Sequence, residues 1–389
     1  MINSVESMDF KNRRVFVRVD FNVPIKNGEI KDDTRIREAL PTIEYIKNKG
    51  GKVILTSHLG RPKGEFNMEY SLKPVADYCT KTFFKVDFVE DCVGEKVLDA
   101  VSRMSPGEVI LLENLRFYKG EEKNDPEFVK ELANFTDIYV NDAFGTCHRK
   151  HASVYGLPEK IADKCAGFLV QKEVKYFEKL IKNPEKPFAA ILGGAKVSDK
   201  IGVIESLLNI ADKIFIGGAM AYTFMKYKGY KIGASLLEKE HLPTVENIYK
   251  KAVEKGVSIF IPKDHLCSRN FGGDPVVVVE ENIPEDLMGL DIGDGTLSFY
   301  KSELKGCKTV LWNGPMGVFE DPRYAKGTFG IADFLGELDA TVVVGGGDSV
   351  SAVKKRGLDE KIAHVSTGGG ASLEFLEYGT LPGIEVLRR

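Results

Sequence analysis

Arginine and histidine side chains recur in the first half of the chain, each time just after a short apolar run. The polar residues that follow four such runs, with one arginine of the loop KDDTRIRE, are Asp20, Asn22, Arg35, His58, Arg61, Asn114, Arg116, His148, Arg149 and His151. An arginine can bind a carboxylate or a phosphate through two parallel hydrogen bonds. Any one of these arginines would most simply be a surface charge, but recurrence at four equivalent positions favours a site for a small anion.

The pair of histidines in HRKH could instead suggest a metal site. His148 and His151 are three residues apart, a spacing that permits shared ligation. No acidic residue stands at the offset found in H-E-x-x-H motifs, so metal binding is the weaker interpretation.

In the second half, glycine takes the place of arginine after the apolar runs. The three glycine-rich segments are LGGAKVSDK (192–200), VGGGDSV (344–350) and STGGGAS (366–372). Glycine lets a phosphate approach the backbone, and the N-terminus of a following helix offers free N–H groups. We expect Lys196 and Lys200 to lie one helical turn apart on one face, and Asp348 to bind magnesium beside a phosphate.

These two kinds of site together indicate phosphoryl transfer between two anions. Such a reaction needs charge neutralisation, alignment and exclusion of water, and it requires no covalent nucleophile. The chain contains neither a G-x-x-x-x-G-K-[ST] motif nor a G-x-G-x-x-G fingerprint, which argues against a P-loop enzyme and a standard dinucleotide enzyme.

The elements that must position these residues are β-strands alternating with helices. The ten predicted strands lie at 15–20, 52–57, 108–113, 138–142, 189–194, 213–218, 258–262, 308–314, 341–347 and 363–370. Nearly continuous apolar strands separated by helices are typical of α/β folds with parallel sheets covered on both faces. Ligands of such sheets bind beyond the carboxyl ends of the strands, where the residues above are found.

The length of 389 residues and the number of strands predict two domains. The segment 171–187 reads as a long amphipathic helix that ends in a charged, proline-containing stretch, so we place the boundary near 170. We expect a first domain over 1–170 and a second over 171–371. The tail over 372–389 is expected to pack back on the first domain.

Composition excludes several classes of protein. The chain has 54 Lys and Arg against 57 Asp and Glu, and a nucleic-acid-binding protein would usually show a basic excess. The six cysteines are scattered without zinc-like spacing, which predicts reduced thiols. No apolar stretch is long enough to span a bilayer, and the N-terminus lacks the apolar core of a secretory signal. These features predict a soluble, cytoplasmic protein that binds neither nucleic acid nor membrane.

Several long motifs resemble those of the phosphoglycerate kinase family, in that family's order and over nearly the whole chain. They are RVDFNVP (18–24), SHLGRPKG (57–64), ENLRFYKGE (113–121), ILGGAKVSDKI (191–201), VLWNGPMGVFE (310–320), GGGDS (345–349) and STGGGASLE (366–374). The resemblance implies two Rossmann-like, doubly wound domains joined by a hinge that closes on both substrates, in a monomer. It also implies reversible, magnesium-dependent transfer between ATP and the carboxylate of 3-phosphoglycerate, giving ADP and 1,3-bisphosphoglycerate.

The resemblance also assigns residues to each substrate. Those expected to hold phosphoglycerate are Asp20, Asn22, Arg35, His58, Leu59, Gly60, Arg61, Arg116 and Arg149. Those expected to contact ATP are Lys200, Gly293, Asn313, Glu320, Gly346, Gly347, Asp348 and Ser349, with Gly193, Gly217 and Gly218 lining the adenine slot. Glu320 would bind the ribose hydroxyls and Asp348 the magnesium ion.

For the chemical step we expect positive charge from Arg35 and Lys196, with Lys200 on the nucleotide. The N–H groups of Gly369 and Gly370 should assist from a helix N-terminus. The acceptor carboxylate is already ionised at neutral pH, so no general base is needed. The histidines then position the substrate rather than transfer protons.

The sequence departs from the family pattern at a few positions. Cys147 and Lys150 stand where alanine is usual, Asp294 where proline is frequent, and Ala219 where a third glycine is frequent. We expect the last two to touch the nucleotide pocket and to affect nucleotide preference. An NAD-dependent dehydrogenase and a non-catalytic binding protein on the same fold are the alternatives.

Overall fold

The computed structural model describes residues 2–388, which divide into two units. The first unit ends at Lys175 and also takes in the chain from Thr380 onward, and the second comprises Tyr176–Gly379. No helix within the described part of the chain is long and apolar enough to cross a membrane.

The first unit is built on a six-stranded parallel sheet with the order β5-β6-β4-β1-β7-β8. Its strands, including a small β2–β3 hairpin, are β1 (Arg14–Val19), β2 (Ile25–Lys26), β3 (Glu29–Ile30), β4 (Lys52–Thr56), β5 (Asp87–Val89), β6 (Val109–Leu112), β7 (Ile138–Asp142) and β8 (Lys164–Ala166). Its α-helices are α1 (Thr34–Asn48), α2 (Lys73–Thr82), α3 (Glu95–Arg103), α4 (Lys119–Lys123), α5 (Pro126–Ala133), α6 (Leu157–Lys160), α7 (Phe168–Lys182), which runs past Lys175, and α15 (Pro382–Glu385). Short 3-10 turns span Val5–Ser7, Met68–Tyr70, Leu115–Phe117 and Phe144–Thr146, and a π-helical turn spans Ala152–Gly156.

The central strands of this sheet bring their carboxyl ends to one edge. In β1 the residue Val15 pairs in parallel with Val53 of β4 and with Ile138 of β7, and β4 in turn pairs with β6. The five residues of β1 after Arg14 are all buried, because helices cover both faces of the sheet. The loops after β1, β4, β6 and β7 therefore meet, as the sequence predicts.

The second unit is built on another six-stranded parallel sheet, with the order β11-β10-β9-β15-β16-β17. Its strands are β9 (Phe188–Leu192), β10 (Lys213–Ile216), β11 (Ser258–Phe260), β15 (Thr309–Asn313), β16 (Thr341–Gly345) and β17 (His364–Val365). Its helices are α8 (Ile201–Leu207), α9 (Met220–Tyr227), α10 (Leu242–Lys255), α11 (Asp294–Leu304), α12 (Lys326–Leu335), α13 (Gly347–Lys355) and α14 (Gly370–Tyr378), with 3-10 turns at Ser198–Lys200, Lys239–His241 and Pro322–Tyr324.

An antiparallel sheet of order β13-β12-β14 completes the second unit. Its strands are β12 (His265–Ser268), β13 (Val276–Val278) and β14 (Met288–Ile292). This sheet was not predicted, because its strands are short and carry no clear alternation of apolar and polar residues.

All ten predicted parallel strands are present, and the α/β class with two parallel sheets is confirmed. Strands β5 and β8 were not predicted, because they are three residues long and lie at the two edges of the first sheet. The tail differs in extent from the prediction. Helix α14 belongs to the second unit, since Phe375 packs on Phe177 and Ser206 Oγ donates to the carbonyl of Glu377. Only the chain from Thr380 belongs to the first unit.

Asp142, at the end of β7, is a buried carboxyl that organises the start of α7. Its Oδ1 accepts from the N–H groups of Leu169 (2.9 Å) and Val170 (3.4 Å), while Oδ2 has no hydrogen-bond partner. Burial raises the pKa of the Asp142 carboxyl to about 7. The folded unit therefore binds a proton here at pH values where an unfolded aspartate has released it.

This proton makes the stability of the first unit dependent on pH. Between the ordinary value of 3.8 and about 7, the stability contributed by this group falls as the pH rises, and it is level above 7. We expect Asp142→Asn, which keeps the acceptor but does not titrate, to gain in Tm relative to wild type between pH 5 and pH 8. The gain should reach several degrees, since one pKa unit is about 1.4 kcal/mol and 1 kcal/mol shifts Tm by roughly 2–4 °C in a unit of this size.

Calorimetry at several pH values measures this difference. Asp77→Asn is the matched control, because Asp77 is exposed and paired with Lys73 on the surface of α2. A constant difference in Tm between Asp142→Asn and wild type across this range would contradict the assignment.

Candidate active site

The anion site of the first unit is held together by backbone and side-chain hydrogen bonds between the loops after β1, β4 and β6. Asn22 Oδ1 accepts from the N–H of Gly60 at 3.0 Å. Asn114 Nδ2 donates to the carbonyl of Leu59 at 2.7 Å, and Arg116 Nη1 donates to the carbonyl of Gly60 at 2.8 Å. The structure thus brings predicted residues from three strand ends into one network.

Gly60 occupies a backbone position at which any side chain would be strained and would clash with a neighbour. Its φ is +61°, in the left-handed region, and a Cβ here would lie 2.3 Å from the ring of Tyr70. The neighbouring Leu59 contributes to the site only through its carbonyl, because its side chain is buried in the hydrophobic core. Arg61, which follows, is exposed.

Arg35, at the start of α1, points to the end of β1. Its Nη1 lies 3.1 Å from Asp20 Oδ2 and donates to the carbonyl of Asn22 at 3.0 Å. Asp20 is nearly buried, whereas Arg35 is half-exposed. These contacts fix one end of the guanidinium group and keep it beside Asp20 and Asn22.

The histidines of this unit are uncharged at neutral pH. Burial and the neighbouring guanidinium groups lower the pKa of His58 well below its usual value, and those groups belong to Arg18, Arg116, Arg149 and Arg35. Burial first, and Arg149 second, lowers the pKa of His148 to about 4, and burial followed by Arg116 lowers the pKa of His151 to about 3. Burial also lowers the pKa of Arg116, to about 10, which leaves it protonated.

Two buried charged residues of this site were missed by the sequence analysis. Arg18 and Glu121 are both inaccessible to solvent and are joined through Ser153: Arg18 Nε donates to Ser153 Oγ at 2.8 Å, and Ser153 Oγ donates to Glu121 Oε1 at 2.6 Å. Arg18 lies inside the apolar run of β1, and a charge at such a position was the available signal. Glu121 ends the motif ENLRFYKGE but was given no role, and nothing in the local sequence marked Ser153.

In the second unit, a cavity of about 1040 Å³ opens beside the glycine-rich loops. Its walls are mostly apolar, with a few carboxylates at one side. The lining residues are Gly194, Ala195, Gly218, Ala219, Tyr222, Ala234, Leu236, Phe271, Met288, Gly289, Leu290, Pro315, Gly317, Val318, Glu320, Asp321, Pro322 and Asp348. An apolar cleft with a few polar groups is the usual form of a small-molecule site.

Among the glycines predicted for the nucleotide, Gly193, Gly217 and Gly293 pack against other parts of the unit and, like Gly346 and Gly347, do not line this cavity. A Cβ on Gly193 would lie 2.0 Å from the carbonyl oxygen of Pro315, and one on Gly217 would lie 2.4 Å from Met316 Sδ, so both allow close packing of loops. Gly218, which was also predicted for the adenine slot, lines the cavity together with Gly194. The third glycine is Gly293, which lies against Asp264.

Gly293 begins α11 rather than facing the cavity. The Asp264 carboxylate accepts from the N–H groups of Gly295 (2.8 Å) and Thr296 (2.6 Å), and a Cβ on Gly293 would lie 2.3 Å from Asp264 Cγ. The glycine leaves room for this capping carboxylate, and Gly289 lines the cavity in its place. Asp294 likewise pairs with Lys326 at 2.6 Å outside the cavity, contrary to expectation, whereas Ala219 lines it.

Lys200 and Asn313 form a buried polar pair at the carboxyl ends of β9 and β15. Lys200 Nζ donates to Asn313 Oδ1, and Asn313 Nδ2 is buried without a hydrogen-bond partner among residues 2–388. Burial lowers the pKa of Lys200 to about 8, although the charges of Asp199 and Asp348 oppose the shift. The pair therefore presents one cation and one free amide donor.

Lys196 was expected to share a helix face with Lys200, but it does not. It is exposed in the loop before the 3-10 turn Ser198–Lys200. Glu238 holds this loop, with Oε2 accepting from the N–H of Val197 at 2.5 Å and Oε1 accepting from Ser198 Oγ at 2.6 Å. A protein carboxylate thus occupies backbone donors that the sequence analysis assigned to a phosphate.

The other two glycine-rich loops do begin helices. Gly346 (φ +87°) precedes α13 and Gly369 (φ +54°) precedes α14, so the first N–H groups of both helices lack a capping side chain at that position. Asp348, in the first turn of α13, is exposed and lines the cavity. The Ser349 hydroxyl is buried, where it accepts from the N–H of Gly314 at 3.0 Å and donates to the carbonyl of Gly345 at 2.6 Å.

The histidine pair of HRKH shows no metal-binding arrangement. His148 Nε2 accepts from Arg149 Nε at 3.1 Å, and His151 Nδ1 lies 4.0 Å from Glu121 Oε1. Over residues 2–388, the grouping of ligand atoms close enough for one ion is Glu238, Glu240 and His241. All six cysteines are buried free thiols.

Known proteins resemble this chain over its full length. A family model described as phosphoglycerate kinase matches residues 5–378. Phosphoglycerate kinase of Borrelia turicatae is 52% identical, with all of both chains covered, and that of Clostridium tetani is 51% identical, covering 99% of this chain and 97% of the relative. The solved phosphoglycerate kinase of Coxiella burnetii has a TM-score of 0.90 at 39% identity and covers 100% of this chain and 99% of its own.

The different surroundings of Gly293 and Gly289 lead to opposite expectations for alanine substitutions. Gly293→Ala should lower the Tm through the clash with Asp264, by a cost on the order of 1–3 kcal/mol, and leave ADP affinity unchanged. Gly289→Ala places a Cβ 1.9 Å from Tyr222 Oη, a cavity residue, and should weaken ADP binding roughly tenfold. Calorimetry gives both quantities, and weakened ADP binding by a fully folded Gly293→Ala would restore that residue to the nucleotide site.

Proposed function

This chain belongs to the phosphoglycerate kinase family and is a phosphotransferase with a carboxyl acceptor, and we propose that it transfers a phosphoryl group between magnesium-bound ATP and 3-phosphoglycerate. The observation that carries this proposal is the contrast between the two sites. One unit gathers cations from four strand ends, which Asp20 and Glu122 balance only in part. The other joins an apolar cavity to helix N-termini.

The first unit is proposed to bind 3-phosphoglycerate. Arg61, Arg116 and Arg149 would bind its phosphate, because guanidinium groups match phosphate oxygens in geometry as well as charge. Asp20 and Asn22 would bind its polar groups near the carboxylate, with Gly60 and Leu59 holding the loop in place. His58 is uncharged, so it would contribute a directional hydrogen bond rather than a charge.

The second unit is proposed to bind the nucleotide. The apolar walls formed by Ala219, Leu236 and Leu290 suit a purine base, and Glu320 at the open side would accept from the ribose hydroxyls. The phosphates would lie along Gly346 and Gly347 at the start of α13. Lys200 and the unpartnered Nδ2 of Asn313 would complete the phosphate site, because a phosphate oxygen is the acceptor that this buried amide lacks.

Asp348 fits a magnesium ion. Its carboxylate is exposed at the cavity, and among the described residues it has no hydrogen-bond or ion-pair partner. Magnesium prefers oxygen ligands and is usually held by one or two carboxylates together with phosphates and water. When bound, the ion would neutralise charge on the transferred phosphate.

The chemical step is proposed to depend on positive charge aimed at the phosphoryl group in flight. Arg35 keeps part of its guanidinium exposed beyond Asp20, and Lys196 is exposed without an ion-pair partner in the described chain. The N–H groups of Gly369 and Gly370 would assist. The carboxylate attacks directly and needs no base, so the uncharged histidines would position the substrate rather than act as acids or bases.

Several expectations remain proposals of the same kind. The division of one substrate to each domain and hinge closure over both substrates follow from the proposed reaction, because the acceptor carboxylate must reach the γ-phosphate. The domain boundary near 170 is a separate proposal. A cytoplasmic monomer that binds no nucleic acid is also proposed. Family membership replaces the dehydrogenase alternative. Turnover in an activity assay would exclude the non-catalytic one.

A coupled assay with 3-phosphoglycerate and magnesium ATP tests the function. Arg35→Ala should lower kcat by about 10³-fold, the effect of losing an arginine that stabilises transferring phosphoryl charge. Arg37→Ala is the matched control, because Arg37 lies on the same helix and pairs with Asp33 at the surface. Absence of turnover in wild type would refute the function, and near-normal kcat in Arg35→Ala would refute only the role of that residue.

The lowered pKa of Lys200 predicts pH-dependent nucleotide binding. Its charge is present below about 8 and is lost above that value, so ADP affinity should fall as the pH rises from 7 to 9 at fixed magnesium. Lys200→Met should bind ADP more weakly at pH 7 and show little further loss, whereas Lys226→Met, at an exposed position, should behave as wild type. Titration calorimetry measures this, and an equal pH dependence in Lys200→Met would exclude Lys200 as its source.

A further inference from the structure

We propose that Glu121, Ser153 and Arg18 form a buried relay that fixes His58 with its proton on Nε2, so that His58 donates a hydrogen bond to the anionic substrate. This inference rests on the proposed function of the same site. None of the three relay residues needs to touch the substrate, so they are positioning residues for His58.

Arg18 and His58 are in direct contact. Arg18 Nη2 lies 3.1 Å from His58 Nδ1, and both side chains are buried. A guanidinium group has only donors, so Nδ1 must be the acceptor. An uncharged imidazole with an acceptor at Nδ1 carries its proton on Nε2.

His58 remains uncharged. A protonated ring would place a second N–H against the Arg18 guanidinium, in a buried position surrounded by the cations of Arg116, Arg149 and Arg35. Glu121 is the nearby buried carboxyl, but Ser153 takes both of its oxygens. Charge, burial and hydrogen bonding therefore exclude the imidazolium form together.

Arg18 is held by the protein on all three nitrogens. Nε donates to Ser153 Oγ, Nη1 donates to the carbonyl of Val19, and Nη2 donates to His58. The guanidinium plane has no freedom to turn toward a ligand. Its effect on the substrate must pass through the ring of His58.

The orientation of the Ser153 hydroxyl is fixed as well. It accepts from Arg18 Nε and so must donate its single proton to Glu121 Oε1 at 2.6 Å, while the N–H of Ser153 donates to Oε2 at 2.9 Å. Each donor and acceptor of the relay has one compatible assignment. Glu121 also balances the buried charge of Arg18, which would otherwise be costly.

His58 is therefore an uncharged hydrogen-bond donor surrounded by cations. Among residues 2–388, His58 Nε2 has no hydrogen-bond partner, so its N–H remains for a ligand. The opposite tautomer would set two donors against each other at Arg18 and direct a lone pair at an anion. The relay therefore makes the ring attractive to phosphate or carboxylate without adding charge.

The tautomer can be read directly in the substrate-free protein by NMR of histidine labelled with ¹⁵N. The chain has six histidines, and the signals that disappear in His58→Gln identify those of His58. We expect a protonated Nε2 and an unprotonated Nδ1, unchanged between pH 6 and pH 8. A protonated Nδ1, or an imidazolium at pH 7, would overturn the inference whether or not the protein is active.

Variants of the relay test its effect on the substrate. Ser153→Ala and Arg18→Lys should mix the two tautomers of His58 and raise the KM for 3-phosphoglycerate roughly tenfold, the range for one hydrogen bond to a charged group. The KM for ATP should stay as in wild type. Arg13→Lys is the matched control, because Arg13 pairs with Asp163 on the surface of the same unit.

The outcomes separate the two proposals. A normal Nε2–H tautomer in a protein with no phosphoglycerate activity would refute the function and leave the relay standing. Normal KM values with an unaltered His58 signal in folded Ser153→Ala would refute the relay. If Arg18→Lys does not fold, Ser153→Ala and the wild-type spectrum still decide.

Discussion

An excess of buried and half-buried positive charge at one edge of the first sheet is the constraint on which the rest of this unit depends. Arg116 is almost inaccessible to solvent, and burial together with the nearby arginines lowers the pKa of every histidine among them. Guanidinium groups this close repel one another unless an anion joins them. The fold opposes the repulsion only in part, since Glu121 is tied to Ser153 and Asp20 faces Arg35. The positive charge that remains unbalanced attracts an anionic ligand.

In the second unit, the groups proposed to bind the ligand are mainly backbone N–H donors rather than charged side chains. Such donors are available only where the protein does not use them itself. Glu238 occupies the loop before α8 and Asp264 occupies the start of α11, and in both cases the anion is internal. Helices α13 and α14 instead begin after Gly346 and Gly369, which carry no side chain for capping. A glycine-rich sequence alone does not show whether the backbone N–H groups of a loop are occupied by a protein carboxylate or remain available to a ligand.

This distinction explains how far the sequence could be read. Periodicity and composition predicted the ten central strands, because a strand buried on both faces must be apolar along its length. Strand β8, at the edge of the first sheet, is only three residues long and gave no such signal. Within the sites, the arginines at strand ends could be recognised from the sequence because they follow apolar runs. Gly293 and Gly289 lie four residues apart, and the sequence does not show that Gly293 packs against Asp264 while Gly289 lines the cavity. The assignment of Gly293 to the nucleotide stays a prediction.

The residues that the sequence did not reveal share one property: each acts on another protein group. Glu121 acts on Ser153, Asp264 on the N-terminus of α11, and Asp142 on the start of α7. Their partners are distant along the chain, so no local pattern marks them. Burying a carboxylate is costly unless hydrogen-bond donors reach it, and this requirement fixes the backbone or side chain that supplies the donors. Ligand-binding groups can then stay open and poorly satisfied, as Asn313 Nδ2 is, because the surrounding loops are already held by other carboxylates.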